Sequence, residues 1–190
     1  MRKYSLPYDI VSLANSTAKF NLTSKGKHGS LHHSKEHPLS THVMTGVDRL
    51  HEEGFTGSGI NIAIVDTGVD YTHPDLGGCF GPGCKIARGY DLVGDDYDGE
   101  NEPVPDDDPF DNCIGHGTHV AGILGASGAA QRYMTGVAPN ATLSMYRVIG
   151  CSGGVSNDVL IKGFIMAYES GADVITSSIG NLGGWAEGTQ

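Results

Sequence analysis

Between Ile60 and Val65 the chain reads Ile-Asn-Ile-Ala-Ile-Val, a near-continuous apolar run rich in branched residues. Such a run predicts a strand buried on both faces, as in a parallel sheet. Weaker apolar patterning predicts a second strand over Ile86–Asp91, and stronger runs predict strands over Thr142–Ile149 and Val174–Ile179. Helical spacing lies between them. Thr41 can cap a helix running to Glu53, with Val43, Val47 and Leu50 on one face and Gly54 as its stop. Another helix is expected from about His116, turning Val120, Ile123 and Leu124 inward. A third, capped by Asn157 or Asp158, places Leu160, Phe164 and Ala167 on one face and ends at Gly171. Strands alternating with helices give an α/β fold, a mostly parallel sheet with helices on both faces.

Residues 1–40 break this pattern. They are rich in Ser, Lys, His and Asn without sustained periodicity and read as a linker-like tail, with 41–190 as the folded part. Their histidines (His28, His32, His33 and His37, with His42 just beyond) lack the helix pattern and the Cys or acidic partners of a metal site.

Charge sharpens the division. The first 50 residues carry a net +4 and the rest a net −14, for the overall −10. A basic nucleic-acid footprint is therefore not expected on the folded part. Ten of the 22 acidic residues fall between Asp91 and Asp111, in a stretch with no Lys or Arg. Such a run reads as a solvated loop or as a site for a hard cation. No run of 18 apolar residues predicts a membrane helix, and no membrane partner is expected. Four cysteines suit an oxidising compartment, and sequons stand at Asn15, Asn21 and Asn140. Together they predict a secreted glycoprotein whose signal segment lies outside these residues.

Two segments carry candidate chemistry. Asp66 follows the first buried strand directly, at the strand end where α/β proteins gather functional groups. A carboxylate there can orient a histidine, although an aspartate in that position also reads as a turn cap. His116 stands at a helix start among small residues, in Gly-His-Gly-Thr-His-Val-Ala-Gly (115–122). Histidine suits general-base work because it titrates near neutrality. The pair His116 and His119 lacks the intervening glutamate of a zinc-protease helix. Dinucleotide binding is not expected, since no Gly-x-Gly-x-x-Gly follows the first strand.

The segments Ile62–Asp70 with His73–Leu76, His116–Gly122, Gly136–Pro139 and Ser177–Gly180 resemble, in order, motifs of the subtilisin-like serine proteases, the subtilases. The cysteine-bearing insert and the Pro-Asp-Asp-Asp-Pro loop (105–109) look most like fungal extracellular subtilases of the minor-protease type. The resemblance implies a serine-type endopeptidase with Asp66 as the orienting acid and His116 as the general base. It makes His119 a structural residue and Ser178, Ile179 and Gly180 a substrate-binding strand. It implies disulfides Cys79–Cys84 and Cys113–Cys151. It also implies calcium as a structural cofactor, at Asp75 and in the loop of Asp95, Asp96 and Asp98. In the same way it implies polypeptide substrates, contact with the chain's own propeptide ending near Ser40, and a monomeric complete protein. The family's Gly-Thr-Ser-Met-Ala nucleophile segment and its oxyanion asparagine do not occur in these 190 residues. Ser177, Ser178 and the Gly-Asn-Leu-Gly-Gly stretch at 180–184 stand in the wrong place for either role. The expectation is an amino-terminal fragment of a catalytic domain, inactive alone. The alternative is a non-catalytic pseudoprotease that binds peptide or calcium.

Overall fold

The computed structural model describes residues 40–129 and 135–180. The tail of residues 1–39, with Asn15, Asn21 and the histidines before His42, lies outside the described residues, as does the stretch 181–190.

Four strands form one parallel sheet: β1 (Asn61–Asp66), β2 (Ile86–Asp91), β3 (Thr142–Arg147) and β4 (Val174–Thr176), in the order β2-β3-β1-β4. Asn61 pairs with Thr142 and Asp66 with Arg147, so the two central strands end level with each other. Alternation along these strands divides the core. Ile62, Ile64, Leu143 and Met145 pack on one face with Val120 and Ala121 of α1 (His116–Gly125). Ala63, Val65 and Tyr146 pack on the other with Val159 and Ala167 of α2 (Asn157–Glu169). Helices thus cover both faces, the subtilisin-like α/β arrangement. Each fully buried Ile, Leu, Val or Met contributes about 1.5–3 kcal/mol.

Several expected boundaries shift. The predicted Thr41–Glu53 helix is two short helices, Ser40–Thr45 and Val47–Glu52. Gly46 separates them at φ 78°, a left-handed conformation that cannot continue a helix. Only Val47 of the predicted face is buried, while Val43 and Leu50 are exposed. The β3 strand stops at Arg147 rather than Ile149 because its partner β1 stops at Asp66. The β4 strand stops at Thr176, where the Ser177 hydroxyl, not a ladder amide, reaches the Val65 carbonyl (3.0 Å). On α1, Ile123 faces outward instead of into the core. On α2 the buried face is Val159, Gly163 and Ala167, and Phe164 is exposed.

Candidate active site

Parallel strands bring their carboxyl ends to one side. Asp66 of β1, Asp91 of β2, Arg147 of β3 and Ser177 after β4 all lie toward that end. The amino terminus of α1 lies there too. His116 Nδ1 stands 2.7 Å from Asp66 Oδ1. Asp66 is fully buried, whereas the His116 side chain is 45% exposed. The same Oδ1 accepts the Thr67 N–H at 2.8 Å. Asp66 Oδ2 is buried with no hydrogen-bond partner among the described residues. In the neutral tautomer that donates Nδ1–H to Asp66, Nε2 carries the lone pair and is the basic atom.

Two glycines permit this contact. A Cβ on Gly117 would lie 2.1 Å from the Gly68 carbonyl and 3.2 Å from Asp66 Oδ1. Gly68 has φ 103°, and a Cβ there would meet Asp111 Cβ and the Pro109 carbonyl at 2.8 Å. Any side chain at either position would push the helix start off the strand end.

A buried carboxylate that sequence reasoning did not single out sits beside the pair. Asp111 Oδ1 accepts the N–H groups of Cys113 (2.9 Å) and Ile114 (3.0 Å). Its Oδ2 accepts from Gly115 N–H (2.9 Å) and the Thr67 hydroxyl (2.8 Å). Burial pushes the Asp111 carboxyl up, but the N–H groups of Ile114 and Cys113, the Thr67 hydroxyl and Gly115 N–H outweigh it. The net result is a carboxyl held below its ordinary value.

Arg147, also unflagged by sequence, is buried at the end of β3 and ion-pairs with Asp91 (3.0 Å) and Asp95 (2.7 Å). It donates to the Phe110 carbonyl at 3.0 Å. Burial raises the Asp91 carboxyl above its ordinary value, with the Gly94 and Val93 N–H groups and Arg147 pulling the other way. Arg147 Nη2 also lies 3.6 Å from Cys151 Sγ and 3.8 Å from Cys113 Sγ. The only signal for Arg147 was a cation at the end of an apolar strand. For Asp111 it was an acid between Phe110 and Cys113.

The structure joins Cys79 to Cys84 and Cys113 to Cys151. The second bridge ties the loop before His116 to the segment after β3. His119 is exposed in a separate cleft of about 660 Å³ that it shares with His42, His73 and Asp75. Ser178 and Gly180 are exposed after β4, and Ile179 packs against the α2-side core. Asn140 is exposed, and its Nδ2 donates to the Thr56 hydroxyl at 2.8 Å.

Calcium takes about six to eight oxygen ligands. Asp95 Oδ1 is engaged by Arg147, and Asp98 Oδ1 accepts the Glu100 and Asn101 N–H groups. Among the described residues, Asp95, Asp96 and Asp98 do not bring three ligand oxygens within 4.8 Å of one another. The one group with three metal-capable side chains among the described residues is Asp95 with the two disulfide cysteines. Asp75 is buried in a short 3-10 helix, Pro74–Leu76, in a cleft lined by imidazoles, threonines and apolar groups.

The family described as "Subtilase family" matches residues 57–190. The chain belongs to the subtilase family. Minor extracellular protease Vpr of Bacillus subtilis (strain 168) is 44% identical over 136 residues, which cover 72% of this chain and 16% of that protein. Thermophilic serine proteinase of Bacillus sp. (strain AK1) is 41% identical over 123 residues, 65% of this chain and 26% of that protein. Thermitase of Thermoactinomyces vulgaris is 38% identical over 128 residues, 67% of this chain and 40% of that protein. The matched stretches thus span 16–40% of the length of these relatives. The matched stretches are the amino-terminal part of the subtilase catalytic domain, and the subtilases as a family are serine peptidases.

Proposed function

We propose that the complete protein is a serine endopeptidase in which this chain supplies the acid, Asp66, and the general base, His116. The observation that carries the reading is the 2.7 Å contact between a fully buried carboxylate and a half-exposed imidazole. In this mechanism Asp66 holds the Nδ1–H tautomer and stabilises the imidazolium, while Nε2 takes the proton of an attacking serine hydroxyl. The histidine then returns that proton to the leaving amine. The nucleophile comes from residues other than these 190, which contain no Gly-Thr-Ser-Met-Ala segment. Taken alone they form no acyl-enzyme.

Ser178–Gly180, exposed or half-buried beyond the edge strand β4, supply backbone that pairs with an extended peptide substrate. Secretion is part of the proposal. It is supported by the two disulfides, by an exposed sequon asparagine at 140, and by the extracellular relative from Bacillus subtilis. Cleavage near Ser40, at the start of the first helix, releases the amino-terminal tail as a propeptide. Mass spectrometry of the secreted protein reports both the new amino terminus and a glycan on Asn140.

The test is the full-length protein with a peptide substrate and a fluorophosphonate probe. Cleavage and labelling, both abolished by His116→Ala, are expected. A full-length protein that folds but neither cleaves nor labels overturns the proposal.

A further inference from the structure

We propose that Asp111 is a positioning residue for the His116 base, acting with Thr67 as one unit. The inference rests on the protease reading above and concerns a residue that does not touch the reacting atoms. Between them, the Asp111 carboxylate and the Thr67 hydroxyl accept the backbone N–H groups of residues 113, 114, 115 and 117. These are the neighbours of His116 on both sides. Gly117 N–H to Thr67 Oγ1 is 3.0 Å, and the same hydroxyl donates to Asp111 Oδ2 at 2.8 Å.

The connections close into a ring. Thr67 N–H reaches Asp66 Oδ1, Asp66 Oδ1 faces His116 Nδ1, and His116 stands between the amides that Asp111 and Thr67 hold. Asp111 also carries the backbone into place, since its N–H donates to the Val69 carbonyl (3.3 Å) and Pro109 accepts from Val69 N–H (2.9 Å). The base and its acid come from strand and helix ends 50 residues apart in sequence. A carboxylate that accepts several N–H groups holds its geometry tightly, because leaving those buried donors unpaired costs the full desolvation of each. Burial of the pair, with Asp111 2% and Thr67 4% exposed, keeps water from substituting.

A staple that merely stabilised the fold would alter the folded fraction and leave turnover of the folded enzyme unchanged. A positioning unit alters turnover, since a displacement of about 1 Å at a catalytic group costs on the order of 10²-fold. The experiment uses the full-length protein and a peptide substrate, with kcat and KM measured per folded enzyme. Asp111→Asn keeps the shape but offers an amide NH2 donor where Thr67 and Gly115 need an acceptor. Thr67→Val removes the hydroxyl. Each is expected to lower kcat on the order of 10²-fold, with KM within about twofold. The double variant is expected to be no worse than the more damaged single one, because both break one unit. Thr67→Ser is expected to recover most of the loss seen in Thr67→Val. Thr67→Val and Thr67→Ser carry the test if Asp111→Asn does not fold. Folded variants with wild-type kcat, or single losses that multiply in the double variant, overturn the inference. A wild-type protein without activity, or one whose activity survives His116→Ala, overturns the protease reading instead.

Discussion

Arg147 Nη1 and Asp91 Oδ2 lie 3.0 Å apart, with each side chain only 3% exposed, at the level where β1, β2 and β3 end. Removing the cation leaves a carboxylate buried without its partner. Arg147→Ala is therefore expected to destabilise the full-length protein by about 3–5 kcal/mol. Denaturant unfolding of the two proteins measures the difference. Arg147→Lys, which keeps the charge but not the fork that reaches Asp91, Asp95 and Phe110, is expected to fall between them.

Acid stability separates Asp111 from Asp91. Asp111 is held below the ordinary carboxyl value of 3.8, so its contribution is present above that value and lost as pH falls through the depressed folded value. The stability gap between wild type and Asp111→Asn should shrink on acidification below about 3.8. Asp91 is raised, so its contribution is full below 3.8 and lost as pH rises through the folded value. Its Asn variant should gain on wild type over that rise. Unfolding free energies measured in a pH series check both signs.

The Gly117–Gly68 approach tolerates no side chain. Gly117→Ala places a Cβ 2.1 Å from the Gly68 carbonyl and beside Asp66 Oδ1. The expected cost in stability is about 1–3 kcal/mol. The expected loss in kcat is larger in proportion, on the order of 10²-fold, because the displaced backbone carries His116. Parallel melting and kinetic measurements show whether turnover falls further than the folded fraction.

The two disulfides should differ in worth. Cys113–Cys151 closes a loop with a sequence separation of 38, and Cys79–Cys84 one of 5. Loop-closure entropy gives about 4 kcal/mol for the first and about 2 kcal/mol for the second. Unfolding of the paired Cys→Ser variants tests the ranking. The larger loss belongs to the bridge that also anchors the loop before His116.

Asp66→Asn tests the acid without removing bulk. An asparagine can present its amide NH2 to Nδ1 and favour the wrong tautomer of His116. The expected fall in kcat is on the order of 10⁴-fold, the size seen for that change in serine-protease triads. The kinetics of the full-length variant check it.

The elements and the chemistry were unevenly legible. The Ile60–Val65 run announced β1, because a strand covered on both faces needs apolar residues at nearly every position. Asp66 and His116 were legible as members of long motifs. Boundaries were less so. Helical periodicity over Thr41–Glu53 does not reveal that Gly46 turns left-handed, and an exposed Val43 or Phe164 follows the same spacing as a buried one.

What the sequence determined by itself was local: apolar period, helix and strand type, and the small residues flanking His116. Only the tertiary structure decided the 2.7 Å geometry of the Asp66–His116 contact, that Asp111 takes up the amides on the way into that helix, and that Arg147 is buried among acids. The reason is physical. Periodicity reports which side of an element meets the core, but a hydrogen bond between residues 50 apart depends on strand register and helix placement. Those are set by packing of the whole sheet, not by any one segment.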